Sequence, residues 1–181
     1  MGARSKTVLL AVAVAMAAAA MLLLAACGEE EETEVIEGEP IELGDLSYNV
    51  AITRFLNPDD SEDEQYLEGQ TEPAPGEQYL AVFMTIENEG DETVQLPSDF
   101  RIVDTTEKTY EAIESDSPYA LPLGAELGPG GELPESNTPA SDGPIKGAMV
   151  LFLVSDQATE NRPLEFEIPS SSGDGKVELD I

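Results

Sequence analysis

Cys27 is the only cysteine in the chain, and it closes the tetrad Leu24-Ala25-Ala26-Cys27 at the end of an apolar run. A thiol at that place is a nucleophile available for lipid attachment, and each acyl CH₂ buried in a bilayer adds about 0.8 kcal/mol of anchoring free energy. A second set of residues could do cation chemistry. Asn57, Asp59, Ser61, Asp63 and Glu68 stand at positions 1, 3, 5, 7 and 12 of a loop, the spacing at which oxygen ligands converge on calcium, a hard cation that takes six to eight of them. Glu62 occupies the place where that geometry needs glycine, and the flanks read as strand and proline loop instead of paired helices, so a solvated acidic loop is the competing reading. A third group, Tyr119, Leu121 and Leu123, puts aromatic and aliphatic side chains in a proline-bounded loop. They form either an exposed recognition patch or an extra strand over a sheet edge.

Other chemistry is disfavoured by composition. With no histidine there is no imidazole base, no Ser-His or Cys-His nucleophile and no imidazole ligand for zinc or copper. A Ser-Lys dyad would draw on Lys108, Lys146 or Lys176, and none lies in a Ser-x-x-Lys pattern. There is no glycine-rich phosphate loop, and carboxylate pairs arise by chance among 38 acidic residues. Carbohydrate sites favour aromatic platforms, and tryptophan is absent. The expectation is a protein that is not an enzyme and carries no cofactor, calcium excepted.

The elements that hold these residues begin with a leader. Residues 1–7 carry Arg4 and Lys6 and no acid, Val8 to Leu24 are all apolar, and Ala25 and Ala26 are small, which is the order of an export signal. Cleavage is expected between Ala26 and Cys27. All four positions of the tetrad resemble a bacterial lipoprotein signal, which implies a diacylglyceryl or palmitoyl anchor on Cys27 and an extracytoplasmic place on the bacterial cell membrane. An uncleaved span is the alternative, because the run from Val8 to Ala26 is close to the roughly 20 residues that cross a bilayer.

Loss of residues 1–26 leaves six cations against 38 acids, a net charge of −32. Such a field repels phosphates and anionic headgroups, so nucleic acid is not an expected partner, whereas an envelope or surface protein is. With Cys27 acylated no disulfide is available, and stability must come from the core. Glu29 to Glu39 is a like-charge run without periodicity, so residues 27–40 read as an acidic tether ahead of one domain at 41–181.

Within that domain Leu46, Tyr48, Val50 and Ile52 alternate as in a strand. Asn57 to Gly76 reads as a long acidic and proline-rich loop outside the core. Gln78 to Asn88 is apolar on both alternating faces, which suits a central strand. Thr93 to Leu96, Phe100 to Asp104 and Thr109 to Ile113 are short β-prone pieces. Prolines and glycines from Glu114 to Pro144 leave no room for a helix. Ile145 to Val154 reads as a buried strand, and Leu164 to Ile168 and Val177 to Ile181 alternate cleanly. Seven to nine antiparallel strands make an all-β sandwich.

The order GEQYLAVFMTIENEGDETVQL, FRIVDTTEKTYEAI, LGPGG, IKGAMVLFLV and PLEFEI resembles the bacterial lipoprotein family carrying domain of unknown function 4352. The likeness spans residues 41 to 181. It rests on a hydrophobic strand ending in Asn88 with Gly90-Asp91, on a Pro129-Gly130 turn and on Lys146-Gly147 ahead of an apolar strand. It implies an immunoglobulin-like sandwich similar to the immunoprotective extracellular proteins, and no catalytic residues. This chain departs from the pattern in placing Glu132 to Gly143 between the turn and the strand, and in its long acidic loop after Phe55.

Overall fold

The computed structural model describes residues 33–171 and 173–181. The leader, Ala26, Cys27 and the first part of the acidic segment lie outside the described residues, and the charge run that begins there does not continue as a tether to residue 40. Strand β1 (Glu34–Ile36) pairs in parallel with β12 (Gly175–Leu179), so the domain starts seven residues before Ile41. The correction has a physical cause. Val35 alternates with Glu34 and Ile36, and its side chain drops into the core while the two flanking residues stay exposed.

Regular structure is nearly all β. After β1 come β2 (Pro40–Leu43), β3 (Leu46–Leu56), β4 (Glu77–Asn88), β5 (Val94–Gln95), β6 (Arg101–Val103), β7 (Thr109–Ile113), β8 (Glu126–Leu127), β9 (Glu132–Leu133), β10 (Ala148–Ser155) and β11 (Leu164–Ile168), then β12. The two-residue pieces β5, β8 and β9 account for the count beyond seven to nine. Among the described residues no helix is long and apolar enough to cross a membrane. One helical turn, α1 (Pro139–Asp142), does form in the proline-rich stretch where none was expected. Proline at the first helical position has no amide to satisfy, and Thr138 and Ser141 cap the turn reciprocally.

The strands make a sandwich. One layer runs β1-β12-β11-β6-β7 and the other β7-β10-β4-β3-β2, with β9 beside β4. Strand β7 serves both: Thr109 to Glu111 pair with β6, and Ala112 and Ile113 pair with β10. Between the layers Leu80, Val82, Met84 and Ile86 of β4 meet Phe100, Ile102, Phe166, Ile168 and Val177. Phe166 stacks on Phe100 at 5.6 Å and meets Phe152 edge-on at 6.1 Å. On the far side of the first layer Arg101, Glu165, Glu167 and Lys176 face water and pair with one another, which is why β11 and β12 alternate so cleanly.

The second layer is covered on both faces. Tyr79, Ala81 and Phe83 of β4 and Met149 and Leu151 of β10 point outward, into a separate cluster completed by Leu56, Tyr66, Leu67, Tyr119 and Ala140. The segment Asn57 to Gly76 is therefore part of the core and not merely a loop outside it. Burying a large apolar side chain contributes about 1.5–3 kcal/mol, and Tyr66 with Leu67 offsets the cost of ordering the segment in this way. Tyr66 packs edge-on against Phe83 at 5.3 Å and lies 4.7 Å from Tyr119.

Strand β3 departs from simple alternation. Val50 is opposite Met84 and Ile52 opposite Phe83, so Ala51 is an extra residue, and Ile52 is 40 % exposed instead of lying on the face of Leu46, Tyr48 and Val50. The crossing from β1 to β2 uses the freed backbone: the Gly38 amide donates to the Val50 carbonyl (2.9 Å). Glu37 accepts from the Thr53 amide on one layer (3.1 Å) and from the Asp180 amide on the other (3.3 Å).

Candidate functional site

At one end of the sandwich three backbone segments enclose a cleft of about 680 Å³: the β2–β3 turn with its flanks (Leu43 to Leu46), Val94 to Asp99, and Pro169 to Ser171, with Tyr48 and Gly124 also lining it. Each wall has a local cause. Gly44 supplies φ +65° as the first residue of a two-residue hairpin loop, a position few side chains tolerate. Val94 to Leu96 are held by β8, through the pairs Val94–Leu127 and Gln95–Glu126 and by the Leu96 amide donating to the Ala125 carbonyl (2.8 Å). Pro169 to Ser171 follow β11 where it reaches this end.

Asn88 locks the walls from behind. Its side chain is completely buried and has every hydrogen-bonding group engaged: Nδ2 donates to the carbonyls of Glu92 (2.8 Å) and Leu127 (2.9 Å), and Oδ1 accepts from the Gly90 amide (3.0 Å). Its main chain completes the knot, the amide donating to the Gly131 carbonyl and the carbonyl accepting from the Gly130 amide (2.9 Å each). Gly90 lies against Asp45, where a Cβ would sit 2.6 Å from the carboxyl carbon. Pro129 and Gly130 (φ +63°) form a turn closed by the Gly131 amide on the Gly128 carbonyl. The motif residues Asn88, Gly90, Pro129 and Gly130 therefore converge on one knot that fixes the ribbon β5–β8 and the Gly44-Asp45 turn. Gly147 answers a different demand: it runs at φ +139°, and a Cβ there would come within 2.9 Å of the Met84 amide nitrogen.

The cleft has a polar floor and an acidic rim. Tyr48 is 1 % exposed and its hydroxyl has no hydrogen-bond partner among the described residues. Burial drives the phenol pKa far up, so the group remains a neutral donor and acceptor. Asp45 and Asp99 are exposed and unpaired by any cation among the described residues, and no lysine or arginine lines the cleft.

The residues singled out from the sequence are elsewhere. Asp63 is 2 % exposed and pairs with the Arg54 guanidinium while its second oxygen accepts from the Asn57 amide (2.9 Å). Asn57 Oδ1 in turn accepts from the Asp59 amide (3.0 Å), and Ser61 and Glu68 are exposed farther along the segment. The arrangement Asn57, Asp59, Ser61, Asp63 and Glu68 thus turns its central carboxylate inward as a clamp. Among the described residues no three His, Cys, Asp or Glu side chains are grouped to hold a metal ion.

Tyr119 and Leu121 are buried, at 7 % and 4 % exposure, and do not form an exposed patch. Ala120 bridges to Met149 in parallel, with the Met149 amide donating to the Tyr119 carbonyl (2.8 Å) and the Leu121 amide to the Met149 carbonyl (2.7 Å), while Leu123 packs on the core. They behave as an added strand because β10 has a free edge there. The Tyr119 hydroxyl donates to Gln65 Oε1 (2.7 Å), tying this segment to the acidic one. Sequence reasoning passed over Asp45, Tyr48 and Asp99; the signal that leads to them is the glycine at position 90, which leaves room for Asp45.

Residues 36–134 match a family described as domain of unknown function (DUF4352), a span that contains two of the three cleft walls and the Asn88 knot. The fold is similar to the crystal structure of the yjhA protein from Bacillus subtilis, at 14 % identity and TM-score 0.50, covering 81 % of this chain and 99 % of that one. It is also similar to a β-sandwich protein from Clostridium difficile 630, at 13 % identity and TM-score 0.51, covering 84 % and 97 %. No curated protein matches the sequence.

Proposed function

Because this chain belongs to the DUF4352 family, and Asn88, Gly90, Pro129 and Gly130, four of the motif residues by which it resembles that family, brace one cleft, we propose that it is a non-catalytic binding module that takes its ligand in that cleft. The lipid-bearing Cys27 holds it on the outer face of the bacterial membrane, with an envelope or surface protein as partner. The observation that carries the binding reading is the Asn88 knot: a buried asparagine with five hydrogen bonds spent on positioning the cleft walls. The anchor rests on Leu24-Ala25-Ala26-Cys27.

Where the chain enters supports an orientation. Strand β1 runs parallel to β12 with Glu34 opposite Lys176, so the chain arrives at the end of the sandwich where Pro169 to Ser171 and Leu43 to Leu46 enclose the cleft. The cleft end is thus the end at which residue 34 enters the domain, and the acidic segment 57–64 lies at the opposite end.

A photo-crosslinking residue at Ser98, in the full-length protein on living cells, tests the binding reading. A discrete adduct that the same crosslinker at Thr105, on the opposite end, does not give is the expected result. Equal or absent adducts at both positions refute it. The anchor is tested separately, since Cys27→Ser releases the protein from membranes if the thiol carries the lipid and leaves it there if the leader is an uncleaved span.

A further inference from the structure

The ribbon β5–β8 has one edge that no strand among the described residues uses. Its pairs are Val94–Leu127 and Gln95–Glu126, and the Leu96 amide donates to the Ala125 carbonyl. In an antiparallel pair hydrogen-bonded and non-hydrogen-bonded positions alternate, so Val94 and Leu96 spend their backbone groups on β8 while the amide and carbonyl of Gln95 point the opposite way. These two groups have no partner among the described residues, and Val94 to Pro97 line the cleft. The cleft therefore holds an unused strand edge, the unpartnered Tyr48 hydroxyl, the apolar side chains Leu46 and Leu96, and the two carboxylates Asp45 and Asp99 with no cation to neutralise them.

On these grounds we infer that the cleft receives an extended peptide segment of a partner protein, bearing a lysine or arginine, laid as an added strand along the outer edge of β5. The inference rests on the proposed binding role and names the ligand class for the same site. The Gln95 amide and carbonyl take the backbone of one peptide residue, and Tyr48 takes a peptide carbonyl or amide at the floor. The cationic side chain, which in a strand projects to one face, meets Asp45 or Asp99 at the rim. A neutral peptide lacks the last contact, and an acidic one is in addition repelled by a chain with 38 acidic residues.

The test uses the full-length protein in detergent and the unlabelled peptide acetyl-Val-Lys-Val-Lys-Val-amide, its binding followed by calorimetry at about 150 mM salt, where remote carboxylates are screened beyond about 8 Å. Saturable binding is expected, with a shift of the Gln95 amide proton on titration. Asp45→Asn with Asp99→Asn weakens binding at least tenfold, and so does Gln95→Pro, which removes the outward amide together with the side-chain bond from Nε2 to the Gly124 carbonyl (3.3 Å) but leaves the Leu96 amide on the Ala125 carbonyl. An unchanged near-ultraviolet tyrosine signal verifies that each variant is folded. Asp59→Asn with Glu64→Asn, on the outward acidic segment, leaves binding as it was.

Equal weakening by the acidic-segment variant, undiminished binding of a peptide with norleucine in place of lysine, or a Gln95 amide that stays still at saturation overturns the inference. If the peptide does not bind while Ser98 captures a partner on cells, the peptide class is wrong and the binding role stands. If Ser98 captures nothing, the binding role itself fails.

Discussion

Two buried polar side chains, Asn88 and Asp104, each collect several hydrogen bonds from separate parts of the backbone. Asn88 makes three side-chain hydrogen bonds at full burial, and Asn88→Ala strands two carbonyls and an amide. At about 1 kcal/mol net for each bond, with a further penalty for unsatisfied groups, the variant loses about 3 kcal/mol, read as a lower urea midpoint with an unchanged slope. Asp104 is the second. Burial alone would raise its pKa, but hydrogen bonds from the Thr106 hydroxyl (2.6 Å), the Thr106 amide (2.8 Å), the Asn161 amide group (3.2 Å) and the Lys108 amide (3.1 Å) stabilise the anion more, and hold the carboxyl below its ordinary value. A carboxyl depressed in the folded state contributes stability that is complete above its unfolded pKa of about 3.9 and is lost as pH falls through the lower folded value. Acid unfolding of the parent should therefore steepen below about pH 3.9, and Asp104→Asn should be weaker at neutral pH with that component missing. An Asp104→Asn acid profile parallel to the parent's excludes this role.

The segment 57–76 behaves as an element although it contains no regular structure. Arg54 on β3 and Asp63 pin it from one side, and Tyr66, Leu67 and the Ser117 and Tyr119 hydroxyl bonds to Gln65 hold the rest. Arg54→Ala leaves a buried carboxylate unpaired, at a cost of about 3 kcal/mol, and the expected readout is faster limited proteolysis between Asn57 and Gly76, with the ends of the sandwich still protected. Because Asp63 has this structural duty, Asp63→Asn lowers the melting temperature with or without calcium, and a thermal shift common to both conditions is the outcome to look for. The acidity of the segment was plain in the sequence, as was the apolar character of both faces of β4. Their connection was not, since Tyr66 and Leu67 are two apolar residues in an acidic run, and only a three-dimensional cover gives them a place. Ile52 fails for the complementary reason: alternation assumes a constant register, and the extra residue Ala51 changes it.

At the scale of the molecule, the sandwich has an end where the chain enters and an end where the acidic segment and the β6–β7 turn lie. The apolar run that ends in Leu24-Ala25-Ala26-Cys27, the net charge and the two-layer β architecture follow from sequence alone, because each depends on local order: a run of apolar residues, a sum of charges, a period of two. The cleft, the inward turn of Asp63, the burial of Tyr119 and the free edge at Gln95 were decided by tertiary structure. Each depends on which distant segments meet, Asp45 with Gly90, Arg54 with Asp63, Ala120 with Met149, and, among the described residues, the outer edge of Gln95 with no second strand. A period along the chain carries no record of such meetings, because they are set by how two layers and their covering segments close around shared apolar surface.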